Sequence, residues 1–252
     1  MNFLRQKRVL ITGASSGIGE ACAYSFAREE CSLVLVARRA DRLAQLKKEI
    51  SENYNVDVQC ITLDVRNREE VFAKLSTIDP VDILINNAGL ARGLEKVHNM
   101  NTDHIDEMIN TNVSGLLYVT QMVVPKMIEM GKGDIINLGS IAGHEVYPGA
   151  TVYCASKHAV DALTKGMRID LADTPLRVSS IDPGAVNTEF STVRFEGDTK
   201  KADSIYRGFR PLVAEDIAEI AVFIASRPAH VQIADVVVFP TAQASSMVFD
   251  RK

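Results

Sequence analysis

Short apolar runs alternating with amphipathic stretches set the rhythm of this chain. Val9-Leu10-Ile11, Leu33-Val34-Leu35-Val36, Ile83-Leu84-Ile85 and Ile135-Ile136-Asn137-Leu138 are nearly continuous apolar runs, the pattern of strands buried on both faces of a parallel sheet. Residues 56–63, Val178-Ser179-Ser180-Ile181 and Val236-Val237-Val238 read as three more strands. Between the runs, apolar residues recur at helical spacing, as in Ile18, Ala21, Cys22 and Phe26, or Leu43, Leu46 and Ile50. The same spacing predicts one long helix over about 102–130 and another from residue 150 onward. Seven strands alternating with helices predict an α/β fold, a doubly wound parallel sheet of the Rossmann type, as a single domain spanning 1–252. Residues 188–210 carry no apolar periodicity and are predicted to form an irregular loop over the substrate.

Composition narrows the classes of function. A length of 252 residues suits one large α/β domain, and 32 acidic against 28 basic residues give a net charge of −4. That balance argues against nucleic acid or an anionic membrane as partner. Arg5, Lys7 and Arg8 lead straight into the first strand without an apolar leader segment, and no apolar run approaches the ~20 residues of a membrane span. A cytoplasmic protein acting on a small molecule is expected. Cys22, Cys31, Cys60 and Cys154 lack metal-ligand spacing and the five histidines form no pair one turn apart, so no metal is expected. Cys154 reads as a bystander.

The chain is organised around Thr12-Gly13-Ala14-Ser15-Ser16-Gly17-Ile18-Gly19, a glycine-rich turn leading from a strand into a helix. Gly13 permits the tight turn, Gly17 lets backbone approach a ligand, and Gly19 lets the helix pack close to the strand. The helix N-terminus then presents N–H groups and positive dipole to an anion, most simply a pyrophosphate held by Ser15, Ser16 and Ile18 with the glycines. The spacing departs from the commoner Gly-x-Gly-x2-Gly, and a plain glycine turn is the alternative. After the second strand stand Ala37-Arg38-Arg39, with no acid until Asp41. An acid there would bind the ribose of NAD, whereas Arg38 and Arg39 suit the extra phosphate of NADP. The alternative is a solvated basic helix start.

Further candidates cluster where strands end. Asp64-Val65 could hold the adenine edge, or Asp64 could cap the next helix. Asn87, Ala88 and Gly89 follow the fourth strand, where open α/β sheets bind ligands. Asn112 stands in Asn110-Thr111-Asn112, a poor helical stretch inside the long predicted helix. Ser140 follows the fifth strand, Tyr153 and Lys157 share one helix face one turn apart, and Pro183-Gly184 follows the sixth. Together these suggest hydride transfer at an alcohol or carbonyl carbon, which needs one proton moved at the oxygen. A lysine ammonium ~4 Å from a phenol would lower its pKa by roughly three units at an effective dielectric near 20. Lys157 is thus expected to bring Tyr153 near neutrality, with Ser140 holding the substrate oxygen.

With Thr12-Gly13-x3-Gly17-x-Gly19, Asn86-Asn87-Ala88-Gly89, Ser140, Tyr153-x3-Lys157 and Pro183-Gly184 in this order, the chain resembles the short-chain dehydrogenase/reductase family over nearly its whole length. The resemblance implies Tyr153 as acid/base, Lys157 as tuner and nicotinamide-ribose ligand, and Ser140 as donor to the substrate oxygen. It implies Asn112 as holder of a relay water near Lys157, Val186 and Thr188 as cofactor neighbours, and a homotetramer pairing the two long helices. Thr188-Glu189-Phe190-Ser191, Val193-Arg194-Phe195, Gly197-Asp198, Arg227 to Val231 and Phe239-Pro240-Thr241 resemble the NADP-dependent branch that oxidises 3-hydroxy acids such as serine and L-allo-threonine. A 3-oxoacyl thioester or broad carbonyl reductase shares every catalytic residue and is the alternative. A non-catalytic NADP sensor is remote, since such proteins typically lack the Tyr/Lys pair. Arg194, flanked by Phe190 and Phe195, is expected to meet a substrate carboxylate.

Overall fold

A computed structural model describes residues 3–252. Seven parallel strands form one sheet in the order β3-β2-β1-β4-β5-β6-β7. They are β1 (Arg8–Thr12), β2 (Ser32–Ala37), β3 (Val58–Thr62), β4 (Ile83–Asn86), β5 (Gly133–Leu138), β6 (Leu176–Pro183) and β7 (Asp235–Val238). The helices are α1 (Gly17–Arg28), α2 (Ala40–Asn53), α3 (Arg68–Ser76), α4 (Thr102–Ile109), α5 (Leu116–Met130), α6 (Thr151–Asp170), α7 (Glu189–Arg194), α8 (Thr199–Ser204) and α9 (Ala214–Ala225).

The alternation of side chains along each strand divides the core into two layers. Val9, Ile11, Leu33, Leu35, Ile83 and Ile85 face α1, α2 and α9, where Phe26, Leu46 and Ile217 pack on them. Leu10, Val34, Val36, Leu84 and Ile135 face the other way, against Val71 and Leu75 of α3 and Val119 and Val123 of α5. The strand order reverses direction between β1 and β4, and such a switch point opens a crevice at the carboxyl ends of the strands.

Three expectations change. The helix predicted over 102–130 is α4 and α5 joined by a π-helical segment, Asn110–Gly115. Residues 188–210 are not irregular: Thr188 and Asp198 cap α7 and α8 by accepting from the N–H groups of Phe190 and Lys201. Asp64 does not cap α3, because Asn67 does, through the N–H of Glu70. No helix among the described residues is long and apolar enough to cross a membrane.

Candidate active site

Thr12, at the end of β1, ties two of the strand-end loops together. Its hydroxyl accepts from the N–H groups of Asn87 and Ala88, each at 3.0 Å, while the Asn87 amide donates to the Thr12 carbonyl at 2.9 Å. The glycine turn and the Asn87-Ala88-Gly89 loop are therefore one rigid floor. Gly17 sits at φ +55°, and a Cβ there would press on Thr188, so backbone and the α7 cap meet at the turn. Ser16 precedes α1 in extended conformation and makes no side-chain cap bond, which leaves the first N–H groups of α1 available.

A cavity of about 700 Å³ opens over this floor. It brings together Gly13, Ser15, Ser16, Gly17, Ile18, Arg38, Arg39, Asp64, Val65, Ala88, Gly89, Ser140, Tyr153, Lys157, Pro183, Gly184, Val186 and Thr188. Two expected site residues do not line it. Gly19 packs inward, where a Cβ would collide with the Gly13 carbonyl and the Asn87 amide. Gly19→Ala is accordingly expected to cost about 1–3 kcal/mol in thermal unfolding, the usual range for overpacking. Asn112 is buried in the π-helical segment; its carbonyl accepts from Leu90 N–H at 2.8 Å and its amide donates to Leu90 O and Ser156 Oγ. Both its donors are engaged, and its side chain fixes the loop after β4.

The charges at the end of the cavity beside β2 and β3 are paired. Arg39 donates to Ser15 Oγ and Ser15 O and pairs with Glu189 at 2.9 Å. Arg38 lies 3.8 Å from Glu107, which also binds Arg92 and Arg66. Asp64 is gripped by the Arg66 guanidinium and backbone, which hold its carboxyl below the usual range against the opposing effect of burial.

At the other end stand Ser140, Tyr153 and Lys157. Ser140 Oγ accepts from Ala142 N–H at 3.1 Å, capping a short 3₁₀ turn, and its hydroxyl lies within hydrogen-bonding reach of the Tyr153 phenol. The Lys157 ammonium donates to the Leu138 carbonyl at 2.7 Å. Burial lowers its pKa from 10.5 to about 8, opposed by the buried carboxylate of Asp182. The Tyr153 phenol is not brought near neutrality in the free chain. Burial pushes it up, Tyr147 adds to the rise, and the Ser140 hydrogen bond and the Arg194 charge pull it down.

Arg194 is the group whose position tertiary structure resolves most sharply. It is only 9% exposed and its guanidinium carbon lies 5.5 Å from the Tyr153 ring centre. Nε donates to Gly93 O and Nη1 to Tyr147 Oη, while the buried Nη2 has no partner. No carboxylate pairs with it among the described residues. Lys200, Lys201, Arg207 and Arg210, the other cations of this stretch, are exposed. Sequence reasoning missed Tyr147, Thr111 and the segment carrying Gln243, Met247 and Phe249, all of which line the cavity. Tyr147 lies six positions before Tyr153, a spacing that marks nothing; the terminal segment follows the last strand without periodicity.

Comparisons with known proteins agree with this geometry. A family model described as short chain dehydrogenase matches residues 7–199. The NADP-dependent 3-hydroxy acid dehydrogenase of Schizosaccharomyces pombe is 43% identical, covering 100% of this chain and 99% of that protein. Sulfoacetaldehyde reductase 2 of Chromohalobacter salexigens is 43% identical over 96% of this chain and 98% of its own length. A serine dehydrogenase in closed form with NADP+ superposes with a TM-score of 0.91 at 38% identity, covering 97% of this chain and 99% of that one. With the glycine turn, the strand-end loops and the Ser140, Tyr153 and Lys157 side chains gathered around one crevice, this chain belongs to the short-chain dehydrogenase/reductase family.

Proposed function

We propose that this NADP-dependent oxidoreductase exchanges a hydride with the hydroxyl-bearing carbon of a small 3-hydroxy acid the size of serine or L-allo-threonine. Arg194 carries the substrate class. A buried guanidinium with an unused N–H is unfavourable until an anion completes it, and a carboxylate beside Tyr153 would do so with water excluded.

The residues fit NADP. The uncapped start of α1, with Gly13, Ser15, Ser16, Gly17 and Ile18, suits the pyrophosphate; Arg38 and Arg39 suit the 2′-phosphate; Asp64 and Val65 suit the adenine. Asn87, Ala88, Gly89, Pro183, Gly184, Val186 and Thr188 border the remainder, with Lys157 toward the nicotinamide ribose. When bound, NADP supplies the carbon that gives or takes the hydride. Tyr153 gives its phenolic proton to a substrate carbonyl in reduction and takes it back in oxidation. Ser140 donates to the same oxygen, and Asn112 positions the loop after β4. The family resemblance supports extending the proposal to a cytoplasmic homotetramer, with Ile169, 75% exposed on α6, available to a second copy; light scattering measures the mass.

The test compares kcat/KM for serine and L-allo-threonine, their methyl esters and 2-hydroxyethanesulfonate, in wild type and Arg194→Met. Acids should exceed esters by ten- to a hundredfold, the range of one charged hydrogen bond, and the gap should close in the variant. Equal rates on acids and esters overturn the reading in favour of a broad carbonyl reductase. The similarity to a sulfoacetaldehyde reductase gives a second reading, a sulfonate on the same guanidinium; preference for the sulfonate over the carboxylates selects it.

A further inference from the structure

Glu189 and Arg194 are the first and last residues of α7, a helix of six residues. Arg194 faces Tyr153, whereas Glu189 faces the adenosine end. There the Glu189 carboxylate lies 2.9 Å from Arg39 Nη1 and 3.7 Å from Arg42 Nη2. Arg39 is in turn fixed by Ser15, in the glycine turn. A carboxylate of the chain thus occupies the guanidinium that suits a 2′-phosphate, and it belongs to the helix that carries the substrate-side cation.

We infer that Glu189 is an internal competitor for the 2′-phosphate site, displaced from Arg39 when the 2′-phosphate binds, so that cofactor identity acts on α7 and through it on Arg194. The inference rests on the reading of Arg39 as a 2′-phosphate ligand. The chemistry favours displacement in one direction. A phosphate group near −2 brings more charge than a carboxylate and accepts bidentately from the same fork. A cofactor lacking that phosphate offers Arg39 no competing anion, and Glu189 stays where it is. Five residues of α-helix rise about 7.5 Å, so Glu189 and Arg194 sit at the two ends of one short rigid element. Both side chains of the pair are about two-fifths exposed, which keeps the competition modest and reversible.

Calorimetric titration of the protein with adenosine 2′,5′-bisphosphate and with 5′-AMP tests this without turnover. Glu189→Gln is expected to tighten the bisphosphate about two- to fivefold, the range of an exposed ion pair, and to leave 5′-AMP unchanged. Glu189→Ala should give the same sign. In wild type, the bisphosphate but not 5′-AMP should raise hydrogen exchange across residues 188–195, and Glu189→Gln should show that raised exchange without ligand. Arg39→Gln separates the two readings. If it weakens the bisphosphate while both Glu189 variants leave the affinity unchanged, the competitor role is overturned and the phosphate site stands. If Arg39→Gln leaves the bisphosphate unchanged, Arg39 is not a 2′-phosphate ligand and the competitor role falls with that reading. Equal tightening of 5′-AMP by Glu189→Gln also overturns the inference, since Glu189 would then act on something other than the 2′-phosphate.

Discussion

Tyr153→Phe is expected to lower kcat by two to four orders of magnitude while NADPH still binds with near-wild-type affinity. The substitution removes one oxygen and keeps the ring, which packs against Phe190 at 5.6 Å between centres and beneath Arg194. General acid–base help of this kind is typically worth 10²–10⁴-fold, so the loss isolates the proton transfer from binding. The buried phenol sharpens the expectation. Its pKa is raised in the free chain, so the phenol is protonated there but a weaker acid than in water, and Ser140 and Arg194 are the groups that ease its ionisation. Reduction rates under single-turnover conditions, with NADPH affinity read by fluorescence, decide the matter. A variant retaining more than about a tenth of wild-type kcat removes Tyr153 from the acid/base role.

The second large effect concerns Lys157. Lys157→Met should lower kcat/KM by at least ten- to a hundredfold and yet make the folded chain more stable at neutral pH. The buried ammonium has its pKa lowered from 10.5 to about 8, a difference equivalent to about 3 kcal/mol of charge burial. The lost hydrogen bond to Leu138 O offsets part of that, so a gain of about 1–3 kcal/mol is expected. The sign with pH follows from proton counting. Between about 8 and 10.5 the unfolded chain binds a proton at Lys157 that the folded chain does not, so wild-type stability from this group rises across that window. The advantage of the methionine variant should therefore be largest below pH 8 and shrink toward pH 10. Denaturant unfolding of both proteins at pH 7, 8, 9 and 10 measures it. A difference that is flat with pH, or a variant less stable at pH 7, refutes the picture of a strained buried cation held in place for chemistry.

Much of the molecule was legible because its signals are local. Val9-Leu10-Ile11 and its counterparts are buried on both faces, so they read as apolar runs whatever surrounds them. Thr12 to Gly19 could be recognised because a strand, a turn and a helix start follow one another in eight residues. Tyr153 and Lys157 fall together because 3.6 residues per turn puts residues four apart on one face. The poor propensity of Asn110-Thr111-Asn112 singled out Asn112, although the helix was expected to run through it and is instead interrupted there by the π-helical segment.

Other features had no local signal. α7 and α8 are six residues each, too short to display two periods of a helical pattern, so 188–210 read as irregular. Asp64 was offered a choice between adenine and a helix cap; the cap fell to Asn67 through a register that propensity does not fix to the residue. Gly19 was expected to let the helix pack close to the strand, but the partners of that packing, the Gly13 carbonyl and the Asn87 amide, are brought together only in three dimensions.

The sequence by itself determined the order of the seven strands along the chain, the glycine turn at the first crossover, and the residue types able to move a proton and a hydride. All of these follow from covalent spacing and the periods of helix and strand. Only the tertiary structure decided how those groups behave. Burial raised the Tyr153 phenol that a lysine four residues away was expected to lower, because desolvation depends on everything packed around a group and not on its neighbours in the chain. Folding also paired Arg39 with Glu189, 150 residues away in the chain, and left Arg194 Nη2 buried without a partner beside Tyr153. Those are properties of contacts between distant segments, and no local pattern encodes them.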